Sequence, residues 1–167
     1  MSKILYFVRH AKSSWKQSGL GDSERPLNKR GNHDAPMMGK ELLARGEIPE
    51  LIISSPAKRA HNTAKLIAKE LGYPPGKLVL DDKLYFADVH NYLDLIESFD
   101  DSLTKIMLFT HNPGITYFVN YISGSNIENI PTTGAARIDL NIESWKQIKN
   151  VQGKLNFFIF PKMFAKE

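Results

Sequence analysis

Arg9 and His10 stop the apolar run Ile4-Leu5-Tyr6-Phe7-Val8 dead. A guanidinium grips an oxyanion through paired N–H donors, and an imidazole beside it can attack or carry a proton. Side by side they suggest phosphate chemistry. Two other stretches offer the same residue types. Ser54-Ser55-Pro56 leads to Arg59, and the apolar run 105–110 opens onto His111-Asn112-Pro113-Gly114. Arg9, His10, Arg59 and His111 could together surround one dianion, with backbone N–H groups of helix starts near Ser55 and Asn112 as further donors.

Each residue also has a plainer reading. Arg59 alone is a surface arginine, and His111 alone a hydrogen-bonded structural histidine. His33, His61 and His90 lack comparable neighbours in the sequence and read as surface or structural. A zinc ion on His10 and His111 would need more ligands. There is no His-x-x-x-His spacing, and no third ligand better than Asp82, so neither a metal nor another cofactor is expected.

The elements that must position these groups follow from periodicity. Run 4–8 reads as a buried strand, and runs 51–53, 78–80 and 105–110 as further strands. A helix over 29–45 follows the capping Asn28, with Gly46 as its stop. Pro36 inside that span predicts either a kink or a restart capped by Asp34. Ala57, Ala60, Ala64, Ile67, Ala68 and Leu71 form one face of a second helix, for which Ser55 reads as N-cap and Pro56 as first residue. Val89, Leu93, Ile96 and Phe99 mark a third helix, and Ile115, Phe118, Val119 and Ile122 a fourth. Alternating strands and helices predict an α/β fold, a three-layer α-β-α arrangement with a mostly parallel central sheet flanked by helices. The carboxyl ends of parallel strands share one edge of the sheet, where ligands bind. Runs 135–142 and 155–160 read as strands that pair with each other or extend an edge. The aromatic tail, with Trp145, Phe157, Phe158, Phe160 and Phe164, is read as core packing.

Composition narrows the function classes. The 167 residues fit one domain spanning 1–167, without repeats or a linker. Cysteine is absent, which excludes a thiolate nucleophile and a disulfide framework. The net charge of +4 is mild and the lysines are scattered, so no nucleic-acid partner is expected. No apolar run approaches a bilayer span and no leader precedes the first strand, so the expectation is a cytoplasmic protein without a membrane partner.

The motifs resemble those of the histidine phosphatase superfamily, also called phosphoglycerate mutase-like. Arg9-His10-Ala11-Lys12 is similar to its Arg-His-Gly signature, and residues 54–64 to its Ser-Ser-Pro-x-x-Arg-Ala-x-x-Thr-Ala motif. Thr110-His111-Asn112-Pro113 is similar to the segment around its second histidine, and Arg25-Pro26-Leu27 with Lys29-Arg30-Gly31 also fits. Within the superfamily, the short chain and Arg-His-Ala-Lys-Ser resemble SixA-type phosphohistidine phosphatases. The resemblance implies a phosphoryl-transfer enzyme with His10 as nucleophile. Arg9, Arg59 and a protonated His111 would hold the phosphoryl oxygens, while Arg25 and Asn112 would add substrate contacts. The family's catalytic glutamate has no direct counterpart. Asp82 stands nearest as general acid, with Asp81 and Asp88 as fallbacks.

A doubtful acid favours a phosphoramidate, whose imidazole leaves readily once protonated, over an alkyl ester. The expectation is therefore a metal-independent phosphatase acting on a phosphohistidine-bearing protein. The alternatives are a broad-specificity phosphomonoesterase for small phosphates, and a non-catalytic phosphate- or phosphoprotein-binding module. A mutase is the weaker reading, since it would need a closing lid that the short 81–89 connection does not offer.

Overall fold

The computed structural model describes residues 2–16 and 19–165. Six strands form one sheet in the order β3-β2-β4-β1-β5-β6. β1 (Lys3–Arg9), β2 (Leu51–Ser54), β3 (Val79–Leu80) and β4 (Lys105–Thr110) are parallel. β5 (Ala135–Leu140) runs antiparallel beside β1, and β6 (Lys154–Ile159) antiparallel beside β5. The two tail strands thus do both things the sequence allows: they pair with each other and extend the sheet.

Alternation along β1 divides the core between the two faces. Tyr6 and Val8 face α1 (Lys29–Ala44) and α2 (Lys58–Leu71), packing with Met38, Leu42, Ile67 and Phe109. Leu5 and Phe7 face α3 (Val89–Glu97) and α4 (Gly114–Ser123), packing with Tyr92, Ile96, Phe118 and Trp145. This is the three-layer arrangement expected from the sequence. Trp145 is fully buried, as the packing reading of the tail required. Among the described residues no helix is long and apolar enough to cross a membrane.

One helix start matches expectation and one differs. Asn28 caps α1, its side chain accepting from Gly31 N at 2.9 Å, but the helix runs on through Pro36. Asp34 caps no restart; it is buried inside the helix, where Arg30 and His33 meet its carboxylate. α2 begins later than predicted, with Ala57 rather than Ser55 as N-cap. The Ser55 hydroxyl accepts from Ala57 N at 3.2 Å and is also engaged by a more distant partner, His111.

Candidate active site

The carboxyl end of β1 is fixed by backbone on three sides. His10 N donates to Thr110 O at the end of β4 (3.1 Å), and Ala11 N donates to Thr63 Oγ1 on α2 (2.9 Å). Lys12 O accepts from Asn28 N at 3.0 Å, and a Cβ at Gly31 would collide with that same carbonyl oxygen. Glycine therefore lets α1 close against the strand end. On the far side Thr133 N donates to the carbonyls of Arg9 and His10 at 3.0 and 3.1 Å. Thr133 sits at φ 61°, an uncommon conformation for a β-branched residue and one held by its surroundings.

This scaffold brings His10 and His111 together, with ring centroids 5.2 Å apart. A cavity of about 220 Å³ opens in front of His10. Arg9, Arg25, Arg59, Lys12 and Asn112 line it with His10, and among the described residues no carboxyl group does. His111 lines a neighbouring apolar cavity instead, and Asn112 borders both.

Each charged side chain is held differently. Arg59 is 4% exposed and donates to Asp22 twice, through Nη1 to the backbone oxygen (2.7 Å) and Nη2 to the carboxylate (3.0 Å). Arg9 Nη1 donates to Ile130 O at 2.9 Å, and burial lowers its pKa. Arg25 bonds Ser13 and Asp22 and lies over the Trp15 ring, 3.2 Å from its centroid. Arg9 Nε, Arg59 Nε and His111 Nδ1 are buried without a partner among the described residues.

The histidines are kept neutral. Burial, reinforced by Arg59, Arg9 and Arg25, pushes His10 down to about 4, against a smaller opposing effect of the Ala11 carbonyl. Its Nδ1 lies 2.7 Å from that carbonyl, which can only accept. The proton of neutral His10 therefore sits on Nδ1, and Nε2 keeps a free lone pair. His111 is pushed down to about 3, chiefly by burial and then by His10 and Arg59. Its Nε2 shares a 2.7 Å hydrogen bond with Ser55 Oγ. The protonated His111 expected from the sequence is not the state of this free site. An anion in contact would be needed to raise it.

Of the predicted residues, the structure brings Arg9, His10, Arg25, Arg59, His111 and Asn112 to one place. Asp82 is exposed at the start of a short 3-10 turn and is absent from the cavity lining. Asp81 accepts from Lys83 N, and Asp88 caps α3 in a box with Asn91. Sequence reasoning missed Asp22. Its carboxylate accepts from Arg59, Arg25 and Tyr85, the Tyr85 hydroxyl at 2.6 Å, and that last bond leads in holding it down at about 2. Its signal was faint: an acid three residues before Arg25 in a polar loop. Ser55, read only as a cap, is the partner of His111. Among the described residues no group of three or more His, Asp or Glu side chains is placed to hold a metal ion.

Comparisons with known proteins agree with this layout. Residues 5–85 match the model of the histidine phosphatase superfamily, branch 1. An uncharacterised chloroplastic protein of Arabidopsis thaliana is 28% identical over 92% of this chain and 73% of its own length. A solved structure from Agrobacterium tumefaciens, provisionally named phosphohistidine phosphatase SixA, is 27% identical. It superposes with a TM-score of 0.81 over 95% of this chain and 98% of its own. A protein histidine phosphatase SixA complexed with tungstate shares the fold, with a TM-score of 0.83 at 19% identity over 97% of this chain and 99% of its own. Motif order, sheet topology and the match over residues 5–85 converge on one family that this chain resembles, the histidine phosphatase superfamily, branch 1.

Proposed function

We propose that this protein is a phosphatase that passes its substrate's phosphoryl group through His10, and that its substrate is a phosphohistidine borne on another protein. The observation that carries the reading is the pairing of His10 Nδ1 with the Ala11 carbonyl, which leaves Nε2 nucleophilic in a cavity walled by guanidiniums. Nε2 attacks phosphorus, the P–N bond to His10 forms, and the bond to the leaving group breaks. Arg9, Arg25 and Arg59 hold the equatorial oxygens as charge spreads over them. Water then attacks phosphorus, the P–N bond to His10 breaks, and phosphate departs.

The leaving group decides between substrate classes. An alkoxide needs a proton at departure, and no neutral acid faces this cavity among the described residues. Asp22, near it, is held as a carboxylate by three donors. A protonated phosphoimidazole leaves as neutral imidazole and needs no such donor. The two SixA proteins of the same fold are named a phosphohistidine phosphatase and a protein histidine phosphatase, which supports the same choice.

The test is turnover with EDTA present, wild type beside His10→Ala, on a phosphohistidine protein, an aryl phosphate and an alkyl phosphate. Activity on the first two that vanishes in the variant is expected. Faster turnover of the alkyl ester would overturn the substrate assignment, and activity abolished by EDTA would overturn the mechanism. Phosphate binding with no turnover of any substrate would leave the binding-module reading.

A further inference from the structure

Phe86 occupies a costly position. It lies at φ 58°, in the left-handed region that side chains avoid, and its ring is 67% exposed. Strain and an apolar ring in water both oppose this arrangement, and the fold gains little packing from it. The neighbouring backbone is pressed tight against α4, since a Cβ at Gly114 would collide with the Ala87 carbonyl oxygen. The segment is thus fixed in place, with Phe86 turned outward. Its ring lies 4.2 Å from the Tyr85 ring and 6.4 Å from His111, centroid to centroid.

Phe86, Val89, Pro113 and Tyr117 wall an apolar cavity of about 440 Å³. Tyr117 is itself 65% exposed. The cavity adjoins the phosphoryl pocket, because Asn112 lines both and His111 stands on its wall beside His10. The opposite flank of the phosphoryl pocket is bordered by Lys12, Lys16, Lys29 and Arg30 around Trp15, whose ring already carries the Arg25 guanidinium. A neutral flat ring attached to a phosphoryl group therefore meets the apolar groups of Phe86, Val89, Pro113 and Tyr117 on one side and cationic side chains on the other.

We infer that this cavity is a leaving-group subsite, and that it takes a flat aromatic ring stacked against Phe86. The imidazole of a phosphohistidine and the phenyl ring of an aryl phosphate share that chemistry. The inference rests on the phosphatase reading and names the part of the substrate that this flank selects. Aromatic rings prefer offset or edge contacts with one another, which an exposed ring on a fixed backbone can offer without rearrangement.

The test uses two inert probes, phenylphosphonate and methylphosphonate, titrated calorimetrically into wild type, Phe86→Ala and Phe86→Gly. Glycine removes the ring and the strain together, so a loss seen in both variants does not come from misfolding. Wild type should bind phenylphosphonate about tenfold more tightly than methylphosphonate, and the ratio should fall to about twofold or less in both variants. Equal wild-type affinities, or a ratio that survives both substitutions, would overturn the subsite. If methylphosphonate itself fails to bind, the phosphoryl reading falls and takes the subsite with it. KM for a phosphohistidine peptide separates the two ring sources: a rise in the variants supports the imidazole, and an unchanged value overturns that half of the assignment.

Discussion

Two clusters of charge lie along β1, and they are built on opposite rules. Midway along the strand, Tyr6 donates to Glu47, and Arg137 answers with Nη1 on Glu47 (2.7 Å) and Nε on Asp139 (2.8 Å). One cation lies between two anions there, and Tyr6 on β1 and Arg137 on β5 both reach Glu47 in the connection after α1. At the carboxyl end, Arg9, Arg25 and Arg59 surround two histidines with a single carboxylate, Asp22, between them. Three nitrogens there are buried without a partner among the described residues. Paired charge ties β1 to its neighbours, whereas excess positive charge stores an affinity for anions. The contrast separates a stabilising network from a binding one without reference to any relative.

The sharpest way to break this contrast is to cut each cluster and ask what fails. His10→Ala should lower turnover of an aryl phosphate by about a thousandfold or more while thermal unfolding stays near wild type. A variant that melts early instead would make His10 structural. Glu47→Ala should do the reverse. It leaves a buried tyrosine and a guanidinium short of a partner, costing about 2–3 kcal/mol, or roughly 5–10 °C in Tm. Its kcat/KM on the folded protein should stay within about twofold. Calorimetry and steady-state rates on the same samples decide both cases.

Asp22→Asn tests whether the lone carboxylate orients the arginines. About a tenfold loss in kcat/KM is expected, carried mainly by KM because phosphate contacts loosen. Vanadate inhibition should weaken in parallel. A further effect concerns pH. His10 and His111 are depressed to about 4 and 3 when folded, against an ordinary 6.5 unfolded. The unfolded chain therefore binds more protons in between, and stability should decline as pH falls from about 6.5 toward 4. Asp22, lowered to about 2, adds a further loss only below its ordinary carboxylate range. Denaturant titrations of His10→Ala across that window should show a shallower decline.

Much of the fold was legible because the apolar runs are long and uninterrupted. β4 spans Lys105–Thr110, the very run read from the sequence. The strand ends carrying Arg9, His10 and His111 were legible for the same reason: polarity changes abruptly where a buried strand meets the sheet edge. Helix starts were less so. Ser55 has the chemistry of a cap, but its hydroxyl serves His111 across 56 residues of chain, and no local pattern reveals such a demand. Asp22 was hidden likewise. Its three partners come from residues 25, 59 and 85, so its meaning depends on a loop folding back over the sheet edge. Asp82 shows the converse, since a position matched by resemblance became an exposed turn residue.

The bond from His10 Nδ1 to the Ala11 carbonyl has a consequence for heredity. A histidine oriented by an aspartate can be disarmed by a point mutation in that partner. This one is oriented by main chain, which every amino acid supplies. No single codon change at position 11 deletes the acceptor. A screen of point variants would find a nucleophile with no mutable orienting partner, and lineages could alter the residue after the histidine, alanine in this chain, while keeping the proton on the same nitrogen.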